Sequence, residues 1–590
     1  MKQAFLGIER SLKGRRWIDR MSQAQTQVAL DIAQRYGIAD ILARVLAGRG
    51  VTAEQAPGFL DPTLKALMPD PRSVTDLEAA AERIAAAIRN REKIAIFGDY
   101  DVDGASSAAL LARYLRFFGI DVQIYIPDRI FEGYGPNPAA MRDLASAASL
   151  IVTVDCGTNS AEAFGAIAGS ATDIVVIDHH QVGGPLPEVV AVVNPNRDDD
   201  LSGLGHLCAV GMVFMTLVEV SRQLRGHGVS PLPDLLSMLD IVALGTVCDV
   251  VPLTGLNRAF VTKGLIAARH LGNPGLAALA RVASIGEPLN PFHFGFLIGP
   301  RINAGGRIGD AALGSMLLCE EDANRAAEIA AELDRLNRER QAMEVEMVAD
   351  ACAEADRDLA SSSPPSVIVT SSTGWHPGIV GLIAARLKEH TRRPAFAIAL
   401  DGSGKGTGSG RSIPGFDMGK LVRAAVDEGI LIKGGGHAMA AGITVERDRL
   451  GDLRAFFDEK AGSAVTSILE NETLPIDGAM SARGANTMLI GELEKAGPYG
   501  SGNPEPLFVL PNHRVASSAV VGNGHLKLRL QAEDRSQLEA IAFRAAETDL
   551  GQFLSGRAGR PAHVAGTLSI NHWNGRQTAQ MRIIDAAEPV

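Results

Sequence analysis

The fold is most strongly constrained by an alternation of short apolar runs and alanine-rich stretches between residues 78 and 193. The runs are rich in β-branched residues and too short for helices, whereas the stretches between them have helical length. Strands that alternate with helices in this way predict a mostly parallel, doubly wound sheet. The apolar runs are residues 93–97, 122–126, 150–154 and 174–177.

The remainder of the chain predicts a multi-domain α/β protein. At 590 residues it is long enough for roughly two to four domains, and a hydrophobic content of 46% supplies their cores. Neither glycine nor proline occurs between Gly314 and Pro364, so we expect a long connecting helix there. A second α/β segment follows. After about residue 465, short β-like runs separated by turns predict a small β-barrel.

Composition excludes several classes of protein. The five cysteines are odd in number and far apart, which excludes a disulfide scaffold and a CxxC zinc knuckle and fits a reducing cytoplasm. No apolar stretch approaches the roughly 18 residues of a membrane span, and the first residues lack an apolar signal segment. We therefore expect a cytoplasmic protein that does not enter a membrane. The net charge of −11 argues against a surface coated in basic patches but is compatible with nucleic acid held in a local groove.

Acidic and imidazole side chains follow three of the predicted strands. In an open parallel sheet the carboxyl ends of the strands share one crevice, where ligands bind. Three carboxylates within five residues repel each other, and a bound cation relieves that repulsion. These side chains are Asp99, Asp101 and Asp103 after the first strand, Asp155 after the third, and His179 and His180 after the fourth; Asp249 follows a predicted helix and would close the site.

Oxygen ligands with one or two imidazoles suit manganese or magnesium better than structural zinc, which favours thiolates. The carboxylates suffice for two ions about 3.5–4 Å apart, an arrangement in which one ion generates hydroxide and both stabilise charge on a phosphoryl group. Each residue alone has a structural alternative: Asp103 as a helix cap, Asp155 as a turn former and His180 as a hydrogen-bonded support. Their coincidence at equivalent strand ends favours a metal site.

Glycine-rich segments in the second half of the chain form a second set of candidate binding residues. Trp375 and His376 precede a glycine and a predicted helix, Ser409 and Arg411 flank Gly410, and Gly435, Gly436 and His437 lie in a run of glycines. Glycine amides can cradle an anion and arginine can grip a phosphate, although each run alone is also explained as a turn. The chain lacks a GxxxxGKS or GxxxxGKT motif, so we do not expect an ATP-driven motor. We assign no residue to binding an organic cofactor.

The motifs GDYDVDG, VDCG, DHH and GTVCDVVPL resemble the four motifs of the DHH phosphoesterase family. GWHPGIVG, SGRS and GGGHAMAAG resemble the DHHA1 domain, and the spacing of the whole resembles the RecJ family of single-strand-specific exonucleases. Many other members of the superfamily begin the first motif with a ligand histidine; here that position is Phe97, and the extra carboxylate is Asp99, as in RecJ-like proteins. The resemblance implies that the metal ligands are Asp99, Asp101, Asp103, Asp155, His179 and Asp249.

The resemblance also implies roles for the other candidate residues. Asp155, His179, His180 and His437 would act in catalysis. Ser409 and Arg411 would grip a terminal 5′ phosphate, and the segment RINAGGR would contact the strand backbone. The implied substrate-binding residues are Arg301, Asn303, Arg307, Trp375, His376, Ser409, Arg411, Gly435, Gly436 and His437. In the C-terminal barrel, an OB-fold by resemblance, the candidate contacts to a single strand are Lys527, Arg529, Phe543, Arg544 and Trp573. For Phe543 the favoured alternative is burial in the barrel core.

The implied protein is a hydrolase that degrades single-stranded DNA from the 5′ end to mononucleotides with two Mn²⁺ or Mg²⁺ ions, in DNA repair and recombination. Single-strand-binding protein and a RecQ-type helicase are the expected partners, and we expect a monomer. Two alternatives are a nanoRNase or cyclic-dinucleotide phosphodiesterase, which lacks a C-terminal OB-fold, and an inactive replication scaffold, which loses its acidic motifs. The expected domains are a helical arm (1–75), a DHH domain (76–318), a connecting helix (319–360), a DHHA1 domain (361–464) and an OB-fold (465–590).

Overall fold

The computed structural model describes residues 3–129, 131–573 and 576–589. The chain divides into two compact units. The larger comprises residues 67–252 and 256–469, and the smaller comprises residues 1–66, 253–255 and 470–590. None of the helices in the described ranges combines the length and the apolar character needed to cross a bilayer. All five cysteines are free.

The first sheet of the larger unit is five-stranded and entirely parallel. Its spatial order reverses between the first strand of the sheet in chain order, Ile94–Gly98, and the third, Leu150–Val154, so the carboxyl ends of these strands form a crevice. The predicted doubly wound sheet is therefore confirmed. Across the sheet the strands are Val122–Tyr125, Ile94–Gly98, Leu150–Val154, Asp173–Ile177 and Ala191–Val193.

Helices cover this sheet because its central strands are buried on both faces. The helix Val102–Phe117 is buried along most of its length, and Ala209–Gly226 and Leu239–Cys248 pack against it. The helices of this part of the chain are Leu77–Asn90, Val102–Phe117, Pro138–Ala147, Ala161–Gly165, Ala209–Gly226, Leu239–Cys248, Gly255–Ala268, Pro274–Val282, Gly299–Ile308 and Leu313–Cys319, with a π-helical turn at His293–Ile298.

A single helix of 37 residues, Ala323–Leu359, leads to the second sheet of the larger unit. It occupies the stretch without glycine or proline, and Asp322 caps its first turn by accepting from the backbone N–H groups of Asn324 and Arg325. In the second sheet only Ile368–Ser372 and Ala395–Leu400 run parallel. Its strands in spatial order are Lys433–Gly436, Ala440–Glu446, Lys405–Arg411, Ala395–Leu400 and Ile368–Ser372; its helices are Val380–Thr391, Met418–Asp427 and Leu450–Glu470.

The smaller unit contains a closed five-stranded barrel, as predicted. Closure results from pairing of its first strand, Phe508–Val521, with Pro561–Trp573. Alternation along His525–Gln531 places leucines inside and Lys527 and Arg529 outside, as expected for a closed barrel. Around the barrel the strands are Phe508–Val521, His525–Gln531, Gln537–Ala542, Arg576–Ala587 and Pro561–Trp573; Gly478–Ala479 joins the first, and helices Thr487–Glu494 and Asp549–Ser555 complete this part.

The predicted burial of Phe543 was wrong: this residue follows a barrel strand and is 54% exposed, with its ring edge-on to His525. Its neighbour Arg544 adopts a positive φ of 51°, which turns the chain away from the barrel immediately after the strand ends. Phe543 therefore does not follow the alternation of buried and exposed side chains along the preceding strand. The side chain of Trp573 lies outside the described residues.

The N-terminal segment belongs to the same unit as the barrel. The strand Arg16–Asp19 pairs in parallel with Thr473–Ile476. The fully buried Asp585 accepts hydrogen bonds from Ser11, Arg15 and Trp17. Neither pairing follows from local sequence periodicity. The helices of the segment are Gln23–Tyr36, Asp40–Gly48 and Ala56–Leu60, followed by Leu64–Leu67.

Candidate metal centre

Asp99 and Asp101 lie between the strand Ile94–Gly98 and the helix Val102–Phe117, and Asp103 is the second residue of that helix. Asp101 caps the helix by accepting from the backbone N–H groups of Asp103 and Gly104, at 2.9 and 3.0 Å. Asp103 is buried and accepts from the first two N–H groups of the helix Ala209–Gly226. A Cβ at Gly104 would lie 2.4 Å from the backbone oxygen of Asp99, so the turn that places these carboxylates together requires glycine.

The other predicted ligands converge on the same place from three different elements. Asp155 follows the strand Leu150–Val154 with a φ of 61°, a conformation that is strained for a residue other than glycine. The Nε2 atom of His179 lies 3.3 Å from Asp155 Oδ1 and 3.8 Å from both Asp103 Oδ2 and Asp249 Oδ2. Asp249 follows the helix Leu239–Cys248, as predicted. The expected convergence of side chains at the strand ends is therefore present.

The oxygen atoms of the cluster fit a cation. Asp99 Oδ1, Asp155 Oδ1 and Asp249 Oδ2 are buried and accept no hydrogen bond within the described part of the chain. Burial, together with the charges of neighbouring aspartates, raises the pKa of Asp99, Asp155 and Asp249 well above the usual range and that of Asp103 to about 7. Such a cluster stays ionised most readily around a positive charge. Carboxylate oxygens with an imidazole nitrogen suit Mn²⁺ or Mg²⁺.

The imidazoles differ in their surroundings. Burial lowers the pKa of His179 to about 4, which keeps its ring in the neutral form that binds metals. The His180 ring nitrogen Nδ1 lies 2.8 Å from Asp178 Oδ1. Although burial acts in the opposite direction, the hydrogen bond with Asp178 raises the pKa of His180 and lowers that of Asp178.

Residues that the sequence analysis did not select hold these histidines. Asp178 also accepts from the backbone N–H groups of His179 and His180. Asn194 and Asn196 donate to the backbone oxygens of His180 and His179, respectively. The first aspartate of the DHH motif was an available signal, but the asparagines follow a later strand and no local pattern connects them with the histidines.

A candidate anion pocket lies in the second sheet. Arg411 donates to Ser409 Oγ at 2.9 Å. The helix Val380–Thr391 has no side-chain cap. A Cβ on its second residue, Gly381, would lie 3.1 Å from Arg411 Nη2 and 3.3 Å from Ser409 Oγ. A helix N-terminus beside an arginine and a hydroxyl is a site for an anion.

Further guanidinium groups lie near this pocket without acidic partners. Burial and the charges of Arg129, Arg340 and Arg411 lower the pKa of Arg307 to about 10. Among described residues, Arg129, Arg307 and Arg411 form no ion pair with a carboxylate. Arg307 donates instead to the backbone oxygen of Gly378, and Arg129 lies over the Tyr100 ring. The sequence analysis did not select Arg129, because no recognised motif surrounds it.

The structure does not bring every predicted substrate residue to an open surface. Arg301, on the helix Gly299–Ile308, pairs with Asp334 of the long helix at 2.9 Å, and Asn303 is half-buried on the same helix. Trp375 is only 6% exposed, and its indole N–H donates to Asp350. His376 is half-buried and accepts from the backbone N–H of Gly378.

The glycine run containing His437 is exposed. Gly435 and Gly436 end the strand Lys433–Gly436, and a Cβ at Gly436 would lie 2.3 Å from the backbone oxygen of Ala440. The backbone N–H of His437 donates to the same oxygen. Within the ranges that the structure describes, neither a hydrogen bond nor an ion pair connects the His437 ring with the metal cluster.

Three family models match the chain in the expected order. They are the DHH family N-terminal domain at residues 93–246, the DHHA1 domain at residues 365–463 and the RecJ OB domain at residues 476–585. The first match covers the parallel sheet and every residue of the metal cluster except Asp249, the second covers the second sheet with the anion pocket, and the third covers the barrel up to residue 585.

Alignments with similar proteins cover almost the whole chain. The single-stranded-DNA-specific exonuclease RecJ of Bacillus subtilis is 35% identical over 94% of this chain and 69% of its own length. The protein of the same name from Escherichia coli is 34% identical over 93% and 96%, respectively. The crystal structure of RecJ from Thermus thermophilus with Mn²⁺ matches with a TM-score of 0.78 and 29% identity, over 97% of this chain and 78% of that one. A structure of the same protein with Mg²⁺ matches with a TM-score of 0.73 and 28% identity, over 97% and 77%. The chain belongs to the RecJ family of single-stranded-DNA-specific exonucleases.

Proposed function

We propose that this protein is a metal-dependent exonuclease that hydrolyses single-stranded DNA from its 5′ end and releases 5′-mononucleotides. The observation that carries the proposal is the convergence of Asp103, Asp155, Asp249 and His179, in one unit with a pocket suited to a phosphate. A site for cations and a site for an anion within one compact unit are what hydrolysis of a terminal phosphodiester requires.

The proposed metal ligands are Asp99, Asp101, Asp103, Asp155, His179 and Asp249. When bound, two Mn²⁺ or Mg²⁺ ions supply positive charge that activates water and stabilises the negative charge developing on the phosphoryl oxygens. The protein fixes the ligands beforehand: backbone N–H groups orient Asp103, and the helix cap orients Asp101.

Asp178 fixes the His180 ring by holding its Nδ1 atom at 2.8 Å. The Tyr134 hydroxyl lies 3.1 Å from both ring nitrogens of His180, so a phosphate oxygen would approach Nε2 beside this hydroxyl. His180 is therefore proposed to orient the scissile phosphate, and His437 to contact the substrate from the glycine run.

The 5′ polarity is proposed to arise in the anion pocket. A terminal phosphate monoester carries more charge than a diester within the strand, so it gains more from Arg411, Ser409 and the helix N-terminus. Arg307, which pairs with no carboxylate in the described ranges, adds positive charge. The remaining proposed substrate residues are Arg301, Asn303, Trp375, His376, Gly435 and Gly436. Because Trp375 is buried, it would act by supporting the loop that carries His376.

We further propose the division of labour given by the expected domains. The DHH domain (76–318) hydrolyses the phosphodiester bond, and the connecting helix (319–360) joins it to the DHHA1 domain (361–464), which binds the 5′ end. The OB-fold (465–590) binds the single strand, and residues 1–75 form a helical arm. The protein is proposed to act as a cytoplasmic monomer in DNA repair and recombination. Single-strand-binding protein and a RecQ-type helicase are its proposed partners.

The test is digestion of a 5′-phosphorylated single strand with Mn²⁺, beside a duplex, a strand accessible only at its 3′ end, and a dinucleotide. The variant is Asp155→Asn, and its matched control is Asp121→Asn, an exposed carboxylate before a strand of the same sheet. We expect mononucleotides from the 5′ end with wild type and control, and none with Asp155→Asn. Activity confined to the dinucleotide would assign a nanoRNase function, and binding without cleavage would assign a scaffold.

A further inference from the structure

One cysteine lies among the carboxylates of the metal cluster. The thiol of Cys208 is fully buried, and its sulfur lies within 4.8 Å of ligand atoms of Asp103 and Asp249, which are themselves within that distance of each other. Cys208 immediately precedes the helix whose first N–H groups bind Asp103. The sulfur thus adds a soft donor to a cluster otherwise made of oxygen and nitrogen.

The donors lie close enough together for one cation. Metal–ligand bonds of about 2.0–2.3 Å keep the ligand atoms of one ion within roughly 4.6 Å of one another. The ligand atoms of Cys208, Asp103 and Asp249 all lie within 4.8 Å of one another. They form a set of one sulfur and two oxygen donors.

Unsatisfied oxygens point independently to a cation here. Asp155 is 1% exposed, and its Oδ1 accepts no hydrogen bond among the described residues while lying 3.3 Å from His179 Nε2. Asp249 Oδ2, one of the atoms that would coordinate, is also buried and unpartnered in the described structure.

Two other cysteines near the cluster differ from Cys208. The thiol of Cys156 donates to the backbone oxygen of Val154, and that of Cys248 donates to the backbone oxygen of Phe294. Cys208 lies 3.6 Å from the Thr246 hydroxyl, and its thiol also hydrogen-bonds with the Asp103 carboxylate, one of the proposed metal ligands. Only Cys208, among the cysteines described, belongs to a group of potential ligands.

We propose that Cys208, Asp103 and Asp249 form a site for a thiophilic divalent cation such as Zn²⁺, which excludes the activating ion and inhibits the enzyme. On binding, a sulfur–metal bond forms and the thiol proton is released to solvent. Zn²⁺ binds oxygen and sulfur donors more tightly than Mn²⁺ does, and a thiolate increases that preference. Zinc then occupies two residues, Asp103 and Asp249, that the proposed two-ion site needs.

The binding site is tested by the absorption spectrum of the metal-free, full-length protein on addition of Co²⁺. Cobalt bound to a thiolate gives a charge-transfer band in the near ultraviolet. We expect the band in the wild type and in Cys248→Ser, its loss in Cys208→Ser, and its disappearance when Zn²⁺ displaces the cobalt. The absence of the band in the wild type, or its persistence in Cys208→Ser, would overturn the proposal. The wild-type spectrum tests whether cobalt binds a thiolate even if a variant fails to fold.

Inhibition is tested separately, because this part rests on the proposed function. Each protein is assayed with saturating Mn²⁺ and increasing Zn²⁺, and its rate is compared with its own rate without zinc. Loss of the thiolate is expected to raise the half-inhibiting Zn²⁺ concentration by about tenfold or more in Cys208→Ser, whereas Cys248→Ser follows the wild type. Equal inhibition of all three proteins refutes the role of Cys208. If no protein is active, the proposed function fails, while the cobalt spectrum still reports on the site.

Discussion

Gly381→Ala tests the anion pocket with one added methyl group. The new Cβ would lie 3.1 Å from Arg411 Nη2 and 3.3 Å from Ser409 Oγ, closer than ordinary contacts, so it occupies space that a phosphate oxygen needs. Because Gly381 is the second residue of a helix, alanine is also expected to raise the free energy of unfolding, by at most about 1 kcal/mol. Binding and stability should therefore change in opposite directions.

The expected loss of affinity follows from the contact that is blocked. A hydrogen bond to a charged group contributes about 1.5–3 kcal/mol, which corresponds to roughly 10- to 150-fold in binding. We expect the KM for a 5′-phosphorylated strand to rise by about that factor, and the KM for the same strand with a 5′-hydroxyl to change little.

The assay compares the initial rates of digestion of the two strands by wild type, Gly381→Ala and Gly451→Ala. Gly451 is a matched control, because it is likewise the second residue of a helix and a Cβ there would meet no atom within 4 Å. An unchanged KM for the phosphorylated strand in Gly381→Ala would refute the assignment of the pocket. An equal rise for both strands would place the effect elsewhere in the substrate path.

Three further predictions concern stability. Burial raises the pKa of Asp240 to about 6 from 3.8, so ionisation of Asp240 opposes folding as the pH rises through this range. We expect Asp240→Asn to leave the free energy of unfolding in urea unchanged near pH 4 and to increase it by up to about 3 kcal/mol at pH 8. Equal effects at both pH values would contradict this. Asp585→Ala leaves the partly buried Arg15 without its ion pair, so urea unfolding should show a loss of about 3–5 kcal/mol; a loss below about 1 kcal/mol would mean that solvent compensates Arg15. Mn²⁺ at about 100 times its Kd should stabilise the wild type by about 2.7 kcal/mol and Asp155→Asn much less, measured as a shift in Tm, and an equal shift in both would exclude Asp155 as a ligand.

The parallel sheet and the cluster of side chains at its edge could be predicted because both depend on local order along the chain. Asp99, Asp155 and His179 each follow an apolar run closely, and the geometry of a parallel sheet brings such positions together. Local order also predicts the long helix, since a stretch without glycine or proline that has apolar residues at helical spacing has few other conformations.

Contacts between distant segments could not be predicted in this way. Asp585 contacts Trp17 although several hundred residues separate them in the sequence. Cys208 lies beside Asp103 because two helices pack together, and no periodicity in the sequence reveals that packing. Phe543 was misplaced because apolar character predicts burial only while the strand continues, and the chain turns at Arg544. Trp375 lies in a motif suited to a ligand, yet its hydrogen bond with Asp350 holds it against the long helix.

The long helix Ala323–Leu359 also bears on how the larger unit moves. Over its 37 residues it spans about 55 Å. It pairs through Asp334 with Arg301 and through Asp350 with Trp375, so it contacts both the helix Gly299–Ile308 and the loop that carries Trp375. An unbroken helix is stiff along its axis, so it holds these two contact points at a fixed separation. A change in the distance between the two sheets would therefore require one of these side-chain contacts to break.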